Sequence, residues 1–319
     1  MPAPPRKGGM KMRVIFMGTP EFAVPCLERV LEDGHEVVLA VTQADKPKGR
    51  GYAMTPPPVK ICALSHGVPV YQPASLKNNA EALDKLASCG ADVAVVVAYG
   101  RLLPPEVLAV PRCGCINVHA SLLPKYRGAA PIQWAVLNGE TESGVTTMQM
   151  DAGLDTGDLL LTRRCAVPPE MTAGELHDLL SQEGAQVLSD TLRALEAGTL
   201  LPVKQEGESC YAPMLNRELS VMDWERPASE LHNQVRGLNP WPSASTRFGG
   251  KTLKIHRART GGETEAMPGT IVMANPFTVA CGGRSTLELL EVQYEGGKRM
   301  AGADFLRGHA AEIGRRLPD

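Results

Sequence analysis

The first half of the chain alternates short apolar runs with helix-like stretches, and this alternation limits the possible folds more than any other feature. The apolar runs have the length of strands, and they lie at 13–17, 36–42, 68–71, 92–98 and 114–119. Between and after them, helical patterns cover 57–65 and 77–88, and a further helix starts at 129. Such a repeat is typical of a parallel sheet with crossover helices. We therefore expect a Rossmann-like α/β domain.

The character of the sequence changes near residue 208 of 319. A helix near 228–236 is followed by five short β-like runs, punctuated by Gly and Pro, at 244–248, 253–258, 269–273, 278–281 and 287–292. Five short strands fit a small β-barrel. The predicted organisation is a disordered extension (1–11), a catalytic domain (12–200), a linker (201–209) and a C-terminal barrel (210–319).

Charge and cysteine content narrow the class of protein. Residues 12–209 hold 16 Lys and Arg against 23 Asp and Glu, whereas residues 210–319 hold 14 against 12. An acidic domain joined to a mildly basic one hints at a polyanion bound through local patches. Eight cysteines without a Cys-x-x-Cys pair or a signal peptide favour reduced thiols in a cytoplasmic protein. No apolar run reaches the roughly 18 residues of a membrane span.

Two cofactor hypotheses receive little support. The segment Gly18-Thr-Pro-Glu21 follows a strand but lacks the later glycines of a dinucleotide fingerprint. Cys113, Cys115 and His119 lie on one straight predicted strand, where they spread too far apart to share a metal ion. We expect neither NAD nor a metal.

The strongest candidates for catalytic residues lie in the segment 115–128, which reads Cys-Ile-Asn-Val-His-Ala-Ser-Leu-Leu-Pro-Lys-Tyr-Arg-Gly. In a strand, Asn117 and His119 point to the same side and emerge together at its carboxyl end. An amide donor can stabilise a developing oxyanion, and an imidazole can move a proton near neutral pH. This pair indicates acyl chemistry. A core histidine satisfied by a neighbour is the alternative interpretation.

A second segment, 144–158, reads as an apolar strand that runs into a loop with two glycines and three aspartates. Together with Asn-Val-His at 117–119 and Ser-Leu-Leu-Pro at 121–124, it closely resembles the folate-dependent formyltransferases. The resemblance extends from about Met12 to about Leu306 and is strongest to the branch that acts on methionyl-tRNA. Asn117, His119 and Asp155 fall on the three positions that the family uses for catalysis.

The resemblance implies an activity as well as a fold. The family transfers the formyl group of 10-formyltetrahydrofolate, and the branch in question transfers it to the α-amino group of methionine on initiator tRNA. It also implies that the C-terminal barrel is OB-like and binds tRNA. No protein nucleophile is needed, because the amine is the attacking atom.

Each catalytic position then has an expected role. Asn117 would donate to the oxyanion, and His119 would shuttle the proton. Asp155 would orient His119, increase its basicity or hold a relay water. Asp151 and Asp158 are expected to be structural, because Asp in such turns commonly bonds its own backbone.

Binding residues are expected in two groups. The folate should lie along the carboxyl ends of the strands, lined by Ser121, Leu122, Leu123, Pro124, Val97, Tyr99 and Gly100. Transfer RNA should contact a positive loop and a basic stripe on the barrel, through Lys46, Lys48, Arg50, Arg247, Lys251 and Lys254. The strand pattern does not require the charges of the stripe to form one face. The protein is expected to be a monomer.

Two other functions remain open. The same fold could formylate a small amine, such as an amino sugar or glycinamide ribonucleotide, or an inactivated scaffold could bind tRNA without catalysis. The three catalytic positions argue against the inactive scaffold. The basic loop and the added C-terminal domain favour tRNA over a small acceptor.

Overall fold

The computed structural model describes residues 11–48, 53–309 and 313–319, with only the backbone of residue 48. It divides into two compact units. The first comprises the described residues up to Pro131 together with Ser143–Cys165 and His177–Ala212. The second comprises Ile132–Glu142, Ala166–Leu176 and the described residues from Pro213 to Asp319. The linear domain boundaries expected from the sequence stay a prediction.

The strands up to the start of the C-terminal part are β1 (Arg13–Gly18), β2 (Glu36–Val41), β3 (Lys46–Lys48), β4 (Ala53–Thr55), β5 (Val70–Tyr71), β6 (Val93–Val97), β7 (Cys115–His119), β8 (Arg127–Gly128), β9 (Glu142–Gln149), β10 (Leu159–Ala166) and β11 (Tyr211–Ala212). The helices there are α1 (Val24–Glu32), α2 (Pro58–Ser65), α3 (Ala80–Ser88), α4 (Pro105–Leu108), α5 (Pro131–Leu137) and α6 (Ala173–Ala197). A short 3₁₀ turn, Glu21–Ala23, precedes α1.

Seven of these strands form the central sheet, in the order β10-β9-β7-β6-β1-β2-β5. The ladders from β7 through β5 are parallel, as the alternating pattern predicts. In contrast, β9 runs antiparallel to β7, with His119 opposite Thr146. The sheet is therefore mixed, as large sheets of α/β proteins often are. Two-stranded ladders also join β3 to β4 and β8 to β11.

The middle of the central sheet is covered on both faces, so β1, β2 and β6 are largely apolar. On one face, Ile15, Val96 and Cys115 belong to a buried cluster that includes Leu86 of α3. On the other face, Val118 lies against α6, since a Cβ added to Gly184 would stand 3.3 Å from it. Burial raises the pKa of the Cys115 thiol to about 12, so this thiol stays protonated.

The C-terminal part begins with a 3₁₀ turn, Glu218–Ser220, and then holds α7 (Ala228–Gly237), β12 (Ala244–Phe248), β13 (Lys251–Glu263), β14 (Ile271–Ala274), β15 (Phe277–Cys281), β16 (Ser285–Tyr294), β17 (Arg299–Ala301) and α8 (Gly302–His309). Its strands pair antiparallel in the order β12-β13-β16-β15-β14, and β17 pairs with β16. Phe277 and Phe305 are fully buried in its core. This confirms the predicted α/β class followed by a separate antiparallel β-structure.

Two features of the C-terminal strands differ from the sequence prediction. Strand β13 is much longer than the expected run at 253–258, and its register shifts between Ile255 and Arg257. Because the shift adds one residue, Lys254 and Arg257 are both exposed although they are three positions apart.

Across the described residues, no helix has the length and apolar character that a bilayer span requires.

Candidate active site

The predicted pair lies at the carboxyl end of β7, between β6 and β9. Asn117 is opposite Val96 of β6 and Met148 of β9. Asn117 and His119 are only 8% and 6% exposed. The two side chains emerge from a rigid central strand, which is the kind of support that a catalytic geometry requires.

His119 contacts a carbonyl on one side and a carboxylate on the other. Its Nε2 lies 3.0 Å from the carbonyl oxygen of Tyr126, and its Nδ1 lies 3.8 Å from Oδ2 of Asp155. A carbonyl oxygen can only accept, so Nε2–H donates to Tyr126. The lone pair of the neutral imidazole is then on Nδ1, beside Asp155. A proton taken up at Nδ1 would form an imidazolium next to a carboxylate.

Asp155 reaches His119 through an unusual backbone conformation. Its φ angle is +53°, in the left-handed region that non-glycine residues rarely adopt. The backbone N–H of Gly128 donates to Oδ2 of Asp155 at 2.8 Å. A Cβ at Gly128 would stand 2.5 Å from the ring of Tyr211, so glycine at this position lets β8 and β11 approach closely. The Gly128 amide thereby holds the same carboxylate oxygen, Oδ2, that lies beside Nδ1 of His119.

The loop that carries Asp155 folds back along the sheet. Gln149, at the end of β9, pairs with Ile116, three residues before His119 along β7. The loop must therefore return by about 10 Å for Asp155 to reach His119. After Asp155, Gly157 lets the loop close against the end of β9, because a Cβ there would stand 1.7 Å from the carbonyl oxygen of Gln149.

The carboxamide of Asn117 is available to a ligand. Within the described residues, no protein group is hydrogen-bonded to it, although the side chain is almost entirely buried. A buried amide usually has partners. An uncommitted amide beside an imidazole is suited to donate a hydrogen bond to an oxyanion.

The turn at 121–124 is fixed against β9 by Thr146. The Oγ1 of Thr146 donates to the carbonyl oxygen of Ser121 at 2.8 Å and accepts from the backbone N–H of Leu123 at 3.4 Å. The Ser121 hydroxyl donates to the carbonyl oxygen of Lys125 at 2.7 Å. Ser121 and Leu123 are buried, and the next residue after each, Leu122 and Pro124, is half-buried. The expected folate role of this turn stays a prediction.

The other predicted folate residues lie at the end of β6. Val97 and Tyr99 are buried in the core, at 0% and 1% exposed, so their side chains are turned away from solvent. The carbonyl oxygen of Tyr99 accepts from Thr19 and from Gln43, at 3.2 and 2.9 Å. Gly100 is exposed and has a φ angle of +77°. A contribution of this strand end to ligand binding would therefore come from Gly100 and the exposed backbone.

The predicted basic residues have different surroundings. Lys46 is exposed and donates to Oε1 of Gln43 at 2.9 Å. The side chain of Lys48 and all of Arg50 lie outside the described residues. Arg247, Lys251 and Lys254 are all exposed in the C-terminal unit, and the Lys251 ammonium lies 5.8 Å from the centre of the Tyr294 ring.

Asp151 has the structural role that the turn pattern predicts. Its carboxylate accepts from the backbone N–H of Gly153 at 3.0 Å and from the hydroxyl of Thr156 at 2.7 Å. In Asp158, the backbone carbonyl accepts from Gln149 at 2.8 Å. Among the described residues, no group of three His, Cys, Asp or Glu side chains is placed to hold a metal ion.

Three supporting groups were not predicted from the sequence: the Tyr126 carbonyl, the Gly128 amide and the Thr146 hydroxyl. The backbone groups carry no residue-specific signal. Thr146 lies inside an apolar strand, where a threonine is ordinary. A signal that could have drawn attention to Gly128 is its place beside the conspicuous Leu-Leu-Pro turn.

Comparison with known proteins places this geometry in a family. Residues 10–192 match the family described as formyl transferase, and residues 214–310 match the formyl transferase C-terminal domain. The methionyl-tRNA formyltransferase of Geobacter sulfurreducens is 50% identical over 309 residues, covering 96% of each chain. That of Caldanaerobacter subterraneus subsp. tengcongensis is 50% identical over 303 residues, covering 93% of this chain and 97% of the relative.

Solved structures share the fold at lower identity. HypX from Aquifex aeolicus in complex with tetrahydrofolic acid is 18% identical, with a TM-score of 0.63, over 95% of this chain and 48% of that protein. The N-formyltransferase from Helicobacter canadensis, in complex with folinic acid and dTDP-3-aminofucose, is also 18% identical. It has a TM-score of 0.67 over 89% of this chain and 99% of its own. The chain belongs to the formyl transferase family.

Proposed function

We propose that this enzyme transfers the formyl group of 10-formyltetrahydrofolate to the α-amino group of methionine on initiator tRNA. The observation that supports methionyl-tRNA as the acceptor is the near-full-length identity of 50% to two methionyl-tRNA formyltransferases. The chemistry rests on the uncommitted carboxamide of Asn117 beside the His119–Asp155 pair.

The first step is attack of the neutral amine on the formyl carbon. A free α-amino group has a pKa of about 7.7–8.0, so a useful neutral fraction is present at pH 7. As the amine nitrogen bonds to carbon, the carbonyl electron pair moves to oxygen, and the Asn117 carboxamide donates a hydrogen bond to that oxyanion. His119 accepts the amine proton at Nδ1, because Nε2–H is occupied by the Tyr126 carbonyl.

The second step is loss of tetrahydrofolate. The oxyanion electron pair reforms the carbonyl, the bond from carbon to N10 breaks, and the proton from His119 is delivered to N10. The products are the formylated amine and tetrahydrofolate, and His119 returns to its neutral form. Asp155 stabilises the transient imidazolium from 3.8 Å.

The charged acceptor requires contacts away from the reacting atoms. Lys46 in the N-terminal unit and Arg247, Lys251 and Lys254 in the C-terminal unit are exposed cations suited to phosphate contacts. The register shift in β13 adds Arg257 to the exposed side of that strand. Arg50 is also proposed to contact tRNA, as the sequence predicts. The monomeric state and the cytoplasmic location expected from the sequence stay predictions.

A small amine is the second candidate acceptor, because an N-formyltransferase of similar fold was solved with dTDP-3-aminofucose. At 18% identity, that likeness bears on the fold and leaves the acceptor open.

A comparison of kcat/KM for the candidate acceptors distinguishes the two functions. Purified protein and 10-formyltetrahydrofolate are incubated with methionine-charged initiator tRNA, with a dTDP-amino sugar, or with glycinamide ribonucleotide. We expect formylation of the charged tRNA, with a much higher kcat/KM than for either small amine. Transfer to a small amine without transfer to the charged tRNA would overturn the proposal.

A further inference from the structure

Gln205 lies in the segment between α6 and β11, and its side-chain amide uses every hydrogen-bonding position. Nε2 donates to the carbonyl oxygens of Asp155 and Gly157, at 2.9 and 2.8 Å. Oε1 accepts from Nε and Nη2 of Arg127, at 3.1 and 2.6 Å. An amide has two donor hydrogens and two acceptor lone pairs. The orientation of this amide is therefore fixed, because carbonyls only accept and a guanidinium only donates.

These bonds close a ring of contacts around Asp155. Gln205 holds the backbone carbonyl of Asp155, and Gly128 holds its carboxylate at 2.8 Å. Arg127, the other partner of Gln205, directly precedes Gly128 in β8. Strand β8 thus holds the loop backbone through Arg127 and Gln205, and it holds the Asp155 carboxylate through the Gly128 amide.

This ring bears on a residue that is held in a strained conformation. The left-handed φ of +53° at Asp155 is unfavourable in a non-glycine residue and persists only where surrounding contacts impose it. Two amide hydrogen bonds within three residues of this loop are such contacts. Without them, the backbone carbonyls of Asp155 and Gly157 would lose these two bonds, and relaxation of the loop away from His119 would be opposed less strongly.

We propose that Gln205 is a positioning residue for formyl transfer. It joins the loop 155–157 to Arg127 and thereby fixes the Asp155 carboxylate beside Nδ1 of His119. Gln205 touches no reacting atom and acts through Asp155. The inference rests on the proposed function only in that the measured rate is the rate of formyl transfer.

The variant Gln205→Glu provides a sharp test because it conserves size and keeps an acceptor for Arg127. It replaces the amide donor by an oxygen that would face two carbonyl oxygens. We expect kcat to fall about 10–100-fold, since misplacement by about 1 Å can cost two powers of ten. The KM for 10-formyltetrahydrofolate should stay close to that of the wild type. The ¹⁵N resonance of His119 Nδ1 should shift toward its position in Asp155→Asn.

A matched control is Gln293→Glu in the C-terminal unit. Gln293 also bridges two groups, with Oε1 3.1 Å from Nε2 of His256 and Nε2 donating to the carbonyl of Gly297 at 3.0 Å. We expect this variant to keep the wild-type kcat and the wild-type His119 resonances.

A double-mutant cycle tests the ring as a unit. If Gln205 acts through Arg127, Gln205→Met, Arg127→Met and the double variant should lose similar amounts of kcat, so that the two effects are strongly non-additive. Fully additive losses would overturn the inference. So would a Gln205→Glu enzyme with wild-type kcat and unchanged His119 resonances. If the glutamate variant does not fold, the methionine cycle decides the question.

The results that would contradict the proposed function differ from those that would contradict the role of Gln205. If the wild type formylates only a small amine, the acceptor is wrong, and the same variants measured with that amine still test Gln205. If the wild type transfers no formyl group, the His119 resonances of Gln205→Glu and Asp155→Asn decide the positioning role alone. Matching shifts in the two variants support it, and an unshifted Gln205→Glu spectrum overturns it.

Discussion

Replacing Asp155 by asparagine removes one charge while keeping the shape of the side chain. The asparagine oxygen can still accept from the backbone N–H of Gly128, 2.8 Å away in the wild type. The lost interaction is the attraction between the carboxylate and the His119 imidazolium, whose nearest atoms are 3.8 Å apart. With an effective dielectric constant of about 20, this distance corresponds to about 4 kcal/mol, or about three powers of ten in rate.

Solvent reduces that figure only modestly, because the His119 and Asp155 side chains are 7% and 14% exposed. We expect Asp155→Asn to lower kcat about 10²–10³-fold while the affinities for folate and tRNA stay nearly intact. The assay is formylation at saturating 10-formyltetrahydrofolate and charged initiator tRNA. Asp151→Asn, on the same loop, is the control, because the hydrogen bonds that the structure shows for the Asp151 carboxylate lie within its own turn. An Asp155→Asn enzyme as fast as this control would refute the reasoning.

Five further outcomes are expected. Asn117→Ala should lower kcat about 10²–10³-fold at unchanged tRNA affinity, measured by steady-state kinetics. Gly157→Ala should lower both kcat and the melting temperature, because its Cβ would stand 1.7 Å from a carbonyl oxygen. Thr172→Ala should cost about 1 kcal/mol in the free energy of unfolding in urea, since its hydroxyl caps α6 by accepting from the backbone N–H of Glu175 at 3.2 Å. Hydrogen bonds from the Thr172 backbone N–H and then its hydroxyl lower the pKa of Glu175. The stabilisation is therefore present above the ordinary glutamate pKa and is lost as pH falls through the lowered value, so urea titrations of Glu175→Gln and wild type should converge in acid. Arg50→Ala should raise the KM for charged tRNA and weaken its salt dependence, and unchanged tRNA kinetics at every salt concentration would contradict this.

Much of the fold follows from local patterns. The strands β1, β2, β6 and β7 are apolar because both faces of the sheet are covered, and such runs are visible in the sequence. Period-two alternation is also enough to place Asn117 and His119 on one side of β7. The Thr-x-x-Glu pattern at 172–175 is typical of a helix start, and Thr172 and Glu175 form its reciprocal pair with bonds of 2.8 to 3.2 Å.

The supports of the site could not be predicted in the same way. Gln205 bonds to Asp155 across 50 residues of sequence, and Gly128 does so across 27. Contacts of this kind depend on how distant segments meet, and they leave no periodic pattern near either partner. The two-residue strands β8 and β11 are too short to have a recognisable alternation. The exposed position of Arg257 depends on a register shift that the alternation of polar and apolar residues does not reveal.

In the proposed mechanism the formyl group passes directly from folate to the methionyl amine, with no covalent enzyme intermediate. A single-turnover rapid-quench experiment with 10-[¹⁴C]formyltetrahydrofolate and methionine-charged initiator tRNA tests it most directly. The label should appear on the methionyl amine at the rate at which folate loses it. No labelled protein should be detected at any time, and His119→Ala should lose the fast phase. Label that passes through the protein, or a fast phase that survives in His119→Ala, would contradict it.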